Sequence, residues 1–347
     1  MQTQSTPVNV LDLTFDQLAL WLSEQGQRPY RTGQILRWIH HRQMDDFSTM
    51  SDISKELRAK LAASFTVDRL PVEQTETSRD GTVKFLHRLR DGERIESVLI
   101  PERDHSTLCV STQVGCAMGC AFCRTGSGGL VRNLTPGEII AQVRDAALFA
   151  GEQGRLTNLV FMGMGEPLAN YDNLVAALGI ITSADHGLAF AGRRVTVSTA
   201  GLASKIPLLG ADTSANLAIS LNAATDEVRD RIMPVNKRWN MEALLAACRN
   251  FPLRKGRRIT FEYVLLAGVN DTESDAGKLV KLLHGIPAKI NLIPYNPHDE
   301  SPFSRPAPEA VQRFQDILHD RHMTSVIRKS KGDDILAACG QLRANNR

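Results

Sequence analysis

Cys116-Ala117-Met118-Gly119-Cys120-Ala121-Phe122-Cys123 places three thiols at C-x₃-C-x₂-C spacing in a chain that holds six cysteines in 347 residues. Three is the informative number. A structural zinc site takes four protein ligands, and an ordinary four-iron cluster takes four cysteines. A cubane held by three thiolates leaves one iron open to a ligand. The spacing therefore favours a catalytic iron–sulfur centre over an incomplete zinc knuckle or a chance group of buried thiols. A disulfide framework is the poorest reading, because cysteines are sparse, no secretory signal stands at the N-terminus, and three crowded thiols cannot pair among themselves.

The segment just upstream, Thr107–Ser111, reads as a strand, and from there strands and helices alternate. Further strands are expected at Asn158–Met162, Arg194–Ser198, Leu217–Leu221, Ile259–Leu265 and Lys289–Ile293. Between them lie helical stretches such as Pro136–Ala150. Its start, Thr135-Pro136-Gly137-Glu138, joins an N-cap, a proline at the first helical position and a carboxylate at the third. The alternation predicts an α/β fold of parallel strands with right-handed crossovers, a full or partial (β/α) barrel. A doubly wound sheet competes, but no G-x-G-x-x-G follows the first strand.

Ligands of such barrels bind at the C-terminal strand ends. The cysteine loop falls on that rim. So do Gly163-Met164-Gly165-Glu166-Pro167, Ser198-Thr199-Ala200-Gly201, Asn222-Ala223 and Asn296-Pro297-His298. Singly, these are turn chemistry. On one rim beside three cysteines they describe a pocket in which Gly165 admits a ligand close to the backbone, Glu166 accepts an ammonium, and Ser198 and Asn296 bond ribose or carboxylate oxygens.

The first third has another texture. Thr14 and Gln17 form a capping box for a helix over Phe15–Gln25, and helical spacing recurs over Thr32–Arg42 and Ser51–Phe65. Val83–Leu89 and Glu93–Ile100 flank Asp91-Gly92 as a hairpin. The expected organisation is a helical accessory domain over residues 1–75 that binds rather than catalyses, a β-hairpin connector over 76–104 and a catalytic core over 105–347. A hydrophobic fraction of 42% supports a sizeable core. No apolar run is long enough to span a membrane, so a cytoplasmic location is expected. The net charge of +3 is too mild to demonstrate a polyanionic partner. The basic residues bunch at Arg28-Arg31-Arg37-His40-His41-Arg42, at Arg254-Lys255-Arg257-Arg258 and at Arg328-Lys329-Lys331.

The cysteine spacing and the Gly-Glu-Pro loop resemble those of radical S-adenosylmethionine (SAM) enzymes. Narrower likenesses lie in Thr107-Leu108-Cys109-Val110-Ser111-Thr112-Gln113-Val114-Gly115-Cys116, in Arg132-Asn133-Leu134-Thr135 and in Gly332-Asp333-Asp334-Ile335-Leu336-Ala337-Ala338-Cys339-Gly340-Gln341-Leu342. These resemble the RlmN/Cfr family of RNA adenine methyltransferases, over nearly the whole chain, with the C-terminal stretch closer to the RlmN type. The sequence departs from the family at Arg124, where Ser is common, and at Asn222, where His is usual.

The resemblance implies a partial radical SAM barrel with a [4Fe-4S] cluster on Cys116, Cys120 and Cys123. It implies SAM bound by Gly165, Glu166, Ser198, Ser220, Leu221, Asn222 and Asn296, and catalysis by Glu96, Cys109 and Cys339. Adenine C2 lies between two ring nitrogens and is too electron-poor for ordinary methyl transfer, so the implied route uses SAM twice and a radical addition. Cys339 becomes an S-methylcysteine that delivers its carbon to C2, Glu96 accepts the C2 proton, and Cys109 releases the product by forming a transient disulfide. The implied partners are 23S ribosomal RNA, tRNA and an electron donor such as flavodoxin, with no membrane, and RNA is the implied partner of the 1–75 domain. A Cfr-like methyltransferase acting at C8 and a non-catalytic, metal-containing RNA-binding protein remain the alternatives.

Overall fold

The computed structural model describes residues 7–151, 155–298 and 301–344. Its main sheet has ten strands ordered in space as in the chain. They are β1 (Val72–Thr77), β2 (Val83–Arg88), β3 (Arg94–Pro101), β4 (Ser106–Cys109), β5 (Leu156–Phe161), β6 (Val195–Thr199), β7 (Asn216–Ser220), β8 (Ile259–Leu265), β9 (Ala288–Pro294) and β10 (Ser325–Ile327). From β4 to β10 every pairing is parallel, and β1 to β4 pair antiparallel. A doubly wound sheet reverses its strand order at a switch point. Here nothing reverses, so right-handed crossovers stepping always in one direction lay their helices on one face and leave the other as the lumen of a partial barrel.

Alternation along the strands makes that lumen. Val195, Val197, Ile259, Phe261, Tyr263, Ile290 and Leu292 are fully buried in the hydrophobic core. Their chain neighbours Thr196, Thr260, Glu262, Lys289 and Asn291 instead line a cavity of about 540 Å³. Strands buried on both faces are ordinarily apolar on both. Polar side chains on the inner face keep this lumen open to a polar ligand.

The capping box at Thr14 and Gln17 forms as expected and starts a helix over Phe15–Glu24. Helices over Tyr30–His40 and Lys55–Ser64 complete the N-terminal unit around Leu18, Leu22, Ile35, Leu36, Ile39, Leu57 and Leu61. The unit docks on the first barrel helix, Pro136–Ala150, through Arg144. That guanidinium is wholly buried and donates to Ile39 O at 3.1 Å and Asp45 Oδ1 at 2.7 Å. Arg69 adds ion pairs to Asp45 at 2.7 Å and Asp145 at 2.8 Å. His40, grouped by sequence with the basic residues, is buried and pushed down to about 3 by desolvation and by Arg144, so it is neutral and faces no solvent.

Residue 75 lies inside β1, whose ladder with β2 joins this region to the main sheet. No helix among the described residues is long and apolar enough to cross a membrane.

Candidate active site

The cysteine loop hangs from a small ribbon, Gln113–Gly115 paired antiparallel with Leu130–Asn133. Gly115 has φ +75°, and a Cβ there would lie 2.0 Å from Gly129 O, so the ribbon closes only with glycine at this position. Two backbone bonds then pin the loop. Cys116 N–H donates to Gly129 O at 2.7 Å, and Ala121 N–H donates to Ile232 O at 2.9 Å, the end of the helix Asp226–Ile232.

Cys116, Cys120 and Cys123 are all free thiols. Burial pushes Cys116 up to about 12 and Cys120 well above the usual thiol range, and each is raised further by the charge of Cys123. Metal coordination reverses this, because it stabilises the thiolate that burial disfavours. No three ligand-type side chains converge as a single-ion cage among the described residues. A cubane needs its three thiolates apart, each on its own iron, and one loop of soft sulfur donors fits that group.

The loop after β5 runs against this one. Gly165, at φ +103°, passes so close to Gln113 that a Cβ would sit 2.6 Å from the glutamine Cβ. Gln113 Oε1 in turn accepts from Glu166 N–H at 2.8 Å. Glu166 is buried and accepts from Leu168 N–H at 3.0 Å and Ala200 N–H at 2.7 Å. Desolvation pushes its carboxyl up to about 7, against those hydrogen bonds. Its charge also reaches Cys116 and Cys120, so it stands near the cluster loop. We expect Gly165→Ala to cost about 1–3 kcal/mol of stability, from the left-handed φ and the clash together. Calorimetry checks this as a Tm lowered by several degrees.

Cys109, Cys123, Asn296 and Cys339 all line the cavity. Cys109 ends β4, is buried, and has its thiol pushed up, chiefly by desolvation and then by the charge of Cys339. Cys339 is solvent-accessible but opens into a space enclosed by protein, which pushes its thiol up to about 11. Residues 230 positions apart in sequence thus share one cavity and each other's field. Glu96 lies on the same face of the sheet, since Val98 pairs with Cys109 and side chains two apart point the same way. It accepts from Arg343 N–H at 2.7 Å and faces Lys84 Nζ at 3.5 Å. Burial raises its pKa and Lys84 opposes the rise.

Three clamps hold the segment that presents Cys339. From the β1–β2 hairpin, Ser78 Oγ in the turn donates to Asp334 Oδ1 at 2.6 Å, and Lys84 Nζ on β2 donates to Ile335 O at 2.7 Å. At the cluster loop, Arg124 N–H donates to Gly340 O at 2.7 Å, and Thr125 Oγ1 bonds Leu342 O. After β9, Gln341 Nε2 reaches Pro297 O at 3.0 Å.

Other expected ligands serve the rim. Ser198 is nearly buried on β6, and Asn296 Oδ1 accepts from Ser330 Oγ. Ser220 O and Leu221 O accept from Arg229. Asn222 stands at φ +56°, accepts from Val264 N–H at 2.8 Å and approaches Met233 Sδ at 3.2 Å, so both ends of its amide are engaged within the protein. Cys248 is buried in the hydrophobic core, as its lack of motif context suggests.

Sequence reasoning missed Lys84, Arg229 and Glu262. Glu262 left a usable signal, a carboxylate alternating with Thr260 inside an apolar strand. Of the basic bunches, Arg328, Lys329 and Lys331 line the cavity. Arg254 to Arg258 precede β8 at the opposite end of the barrel, where Arg257 bonds Ser214 O at 2.8 Å.

Residues 8–67 match the family described as the ribosomal RNA large subunit methyltransferase N-terminal domain, and residues 110–280 match the radical SAM superfamily. The chain is 53% identical over 345 residues to the dual-specificity RNA methyltransferase RlmN of Desulfosudis oleivorans, covering 99% of this chain and 93% of that protein. It is 54% identical over 341 residues to the protein of the same name from Syntrophotalea carbinolica, covering 98% and 91%. A crystal structure of a radical SAM methyltransferase from Sphaerobacter thermophilus superposes with a TM-score of 0.91 at 44% identity, covering 98% of this chain and all of that one.

Proposed function

The chain belongs to the RlmN family of radical SAM RNA methyltransferases, and from that premise we propose that it methylates C2 of an adenine in 23S ribosomal RNA and in tRNA. The observation that carries this reading is the shared cavity of Cys109, Cys339 and the cluster-loop Cys123. A methyl donor acting directly would need no second and third thiol there. When bound, the [4Fe-4S] cluster on Cys116, Cys120 and Cys123 and the SAM beside Glu166 supply one-electron chemistry, which an electron-poor carbon accepts.

The chain's own residues do the rest. Cys339 carries the one-carbon unit on its sulfur, between the small buried Ala337 and Ala338 and Gly340, which at φ +84° turns the segment over the cluster loop. Glu96 takes the proton from C2, and the nearby Lys84 ammonium favours its carboxylate form. The Cys109 thiolate then attacks the Cys339 sulfur. An S–S bond forms, the S–CH₂ bond breaks, and its electron pair stays with the carbon, which takes a proton to become the methyl group. Arg328, Lys329 and Lys331 at the cavity hold the phosphates beside the target base, and a low-potential flavoprotein such as flavodoxin supplies electrons.

The N-terminal unit adds affinity. Arg28, Arg37 and Arg42 are exposed, and Arg42 stacks over Trp38 with its guanidinium carbon 3.8 Å from the ring centroid. Reversing all three to Glu should weaken binding of substrate RNA about tenfold or more and flatten its salt dependence, with iron content unchanged. Unaltered affinity across a salt titration would make the unit a structural support only. Removing the unit outright is a poorer test, because it strips the partners of buried Arg144.

Mass spectrometry of adenosines from cells with and without this protein tests the whole reading. We expect 2-methyladenosine to vanish from 23S ribosomal RNA and tRNA of the deleted strain. Loss of 8-methyladenosine instead would identify the C8 reaction, and unchanged nucleosides would overturn the proposal.

A further inference from the structure

Arg229 is fully buried on the helix Asp226–Ile232, and its guanidinium hydrogen bonds all end on amide carbonyl oxygens. Nη2 donates to Ala200 O at 2.6 Å and Ser220 O at 3.1 Å, Nε to Leu221 O at 3.0 Å, and Nη1 to Asn236 Oδ1 at 2.9 Å. No carboxylate among the described residues pairs with it directly. Asp226 and Asp230 are hydrogen-bonded to it only by way of Asn236, whose Nδ2 donates to them at 2.8 and 2.7 Å, though their charges still act on it. Gly201 makes room, since a Cβ there would lie 3.2 Å from Nη2.

A buried cation with no directly bonded counter-charge is costly, and arginine cannot shed its proton to escape the cost. Carbonyl dipoles offset part of it. The remaining charge calls for an anion, and the helix bearing Arg229 ends on the cluster loop, where Ala121 N–H donates to Ile232 O at 2.9 Å. Ala121 directly follows Cys120, so this bond fixes the Arg229 helix against the cysteine loop, and negative charge on Cys120, Asp226 or Asp230 stabilises the guanidinium. Three thiolates on a dipositive four-iron core make a net anion in a desolvated place, and reduction makes it more negative still.

We propose that Arg229 is the counter-ion of the cluster, a positioning residue that raises the cluster's reduction potential while tying the loops after β6 and β7 to the cysteine loop. Ala200 shows how the two tasks join. Its carbonyl accepts from Arg229 while its N–H donates to Glu166, so one residue, through the two peptide groups that flank it, links the buried cation to the carboxylate expected to hold the SAM ammonium. The inference rests on the assignment of Cys116, Cys120 and Cys123 as cluster ligands.

The test is an anaerobic redox titration of the reconstituted protein, followed by electron paramagnetic resonance, on wild type, Arg229→Gln, Arg229→Lys, Asp230→Asn and Arg231→Gln. Arg231 is exposed on the same helix and serves as the control. We expect Arg229→Gln to lower the equilibrium constant for one-electron reduction at least tenfold, which is ~59 mV to more negative potential. Arg229→Lys should stay within a few-fold of wild type, although it loses the planar fork and unfolds at lower temperature. Asp230→Asn keeps an acceptor for Asn236 but removes a negative charge, so its shift should be positive. Arg231→Gln should not move the potential.

An unshifted potential in cluster-loaded Arg229→Gln would overturn the proposal and leave the residue merely structural. If that variant fails to fold or to load iron, Asp230→Asn decides, and an unmoved or negative shift there sinks the idea. A wild-type protein that takes up no iron would instead refute the cluster assignment beneath it.

Discussion

Cys339→Ala should yield neither methylated protein nor any protein–RNA adduct, whereas Cys109→Ala should accumulate a covalent adduct through Cys339. The difference follows from order. One sulfur must carry the carbon before the base is attacked, and the other acts only afterwards. The structure gives both thiols access to one cavity and to each other's field, so neither substitution removes the other's setting. Both side chains are small, and truncation to Ala leaves the clamps on the 332–344 segment in place, since these run from Asp334, Ile335, Gly340, Gln341 and Leu342.

Turnover should fall below detection in both variants, because a missing thiol cannot be replaced by water in either step. Gel electrophoresis after incubation with substrate RNA reads the contrast directly. A shifted band that ribonuclease trims to protein carrying a short nucleotide is expected for Cys109→Ala alone. Full turnover by Cys109→Ala without a trapped adduct would show that the roles are wrongly assigned, even for a protein that still methylates RNA.

Much of this arrangement was legible in the sequence, for definite reasons. The barrel strands announce themselves as apolar runs between turn residues, and helices such as Pro136–Ala150 carry their own start signals at Thr135 and Glu138. Observed strand ends differ from the expected ones by a residue or two, as ends defined by hydrogen bonding do. β1 was missed because Val-Glu-Gln-Thr-Glu-Thr is a polar, mostly exposed strand, held by its ladder to β2 with no apolar face to betray it. β10 is three residues long, too short for any period.

The site divides in the same way. Cys116, Cys120 and Cys123 form a local pattern and could be read locally. Arg229 could not, because nothing in Asp226–Ile232 distinguishes a buried arginine from the exposed Arg231 two residues on. Its role depends on carbonyls from loops that only the barrel brings together. The meeting of Cys109 with Cys339 is also beyond local pattern, since it depends on a C-terminal segment folded back across the rim by side chains of the first hairpin.

Replacing Cys116, Cys120 or Cys123 by Ala should reduce iron in the anaerobically purified protein from about four atoms per chain to background, because a cubane left with two protein thiolates is no longer held. Cys248→Ala, on the buried face of the helix Met241–Arg249, should leave iron unchanged, which separates loss of a ligand from loss of any thiol. Stoichiometric zinc without iron in the reconstituted wild type would sink the cluster assignment.

The same variants have a second expected effect that a remote metal site would not produce. Arg124 and Thr125, the two residues after Cys123, bond the backbone at Gly340 and Leu342, so the order of the cysteine loop and the order of the Cys339 segment are mechanically one. Without metal, burial drives the Cys116 and Cys120 thiols toward their neutral form, and the loop keeps its backbone bonds at Cys116 and Ala121 but loses the ties between its sulfurs. Faster amide hydrogen exchange is therefore expected across residues 332–344 in all three variants, at peptides more than 200 positions from the substitution. Unchanged exchange there, with iron lost, would mean that the segment is held by the β1–β2 hairpin, through Asp80, Ser78 and Lys84, and by Gln341 on Pro297 O, without help from the cysteine loop.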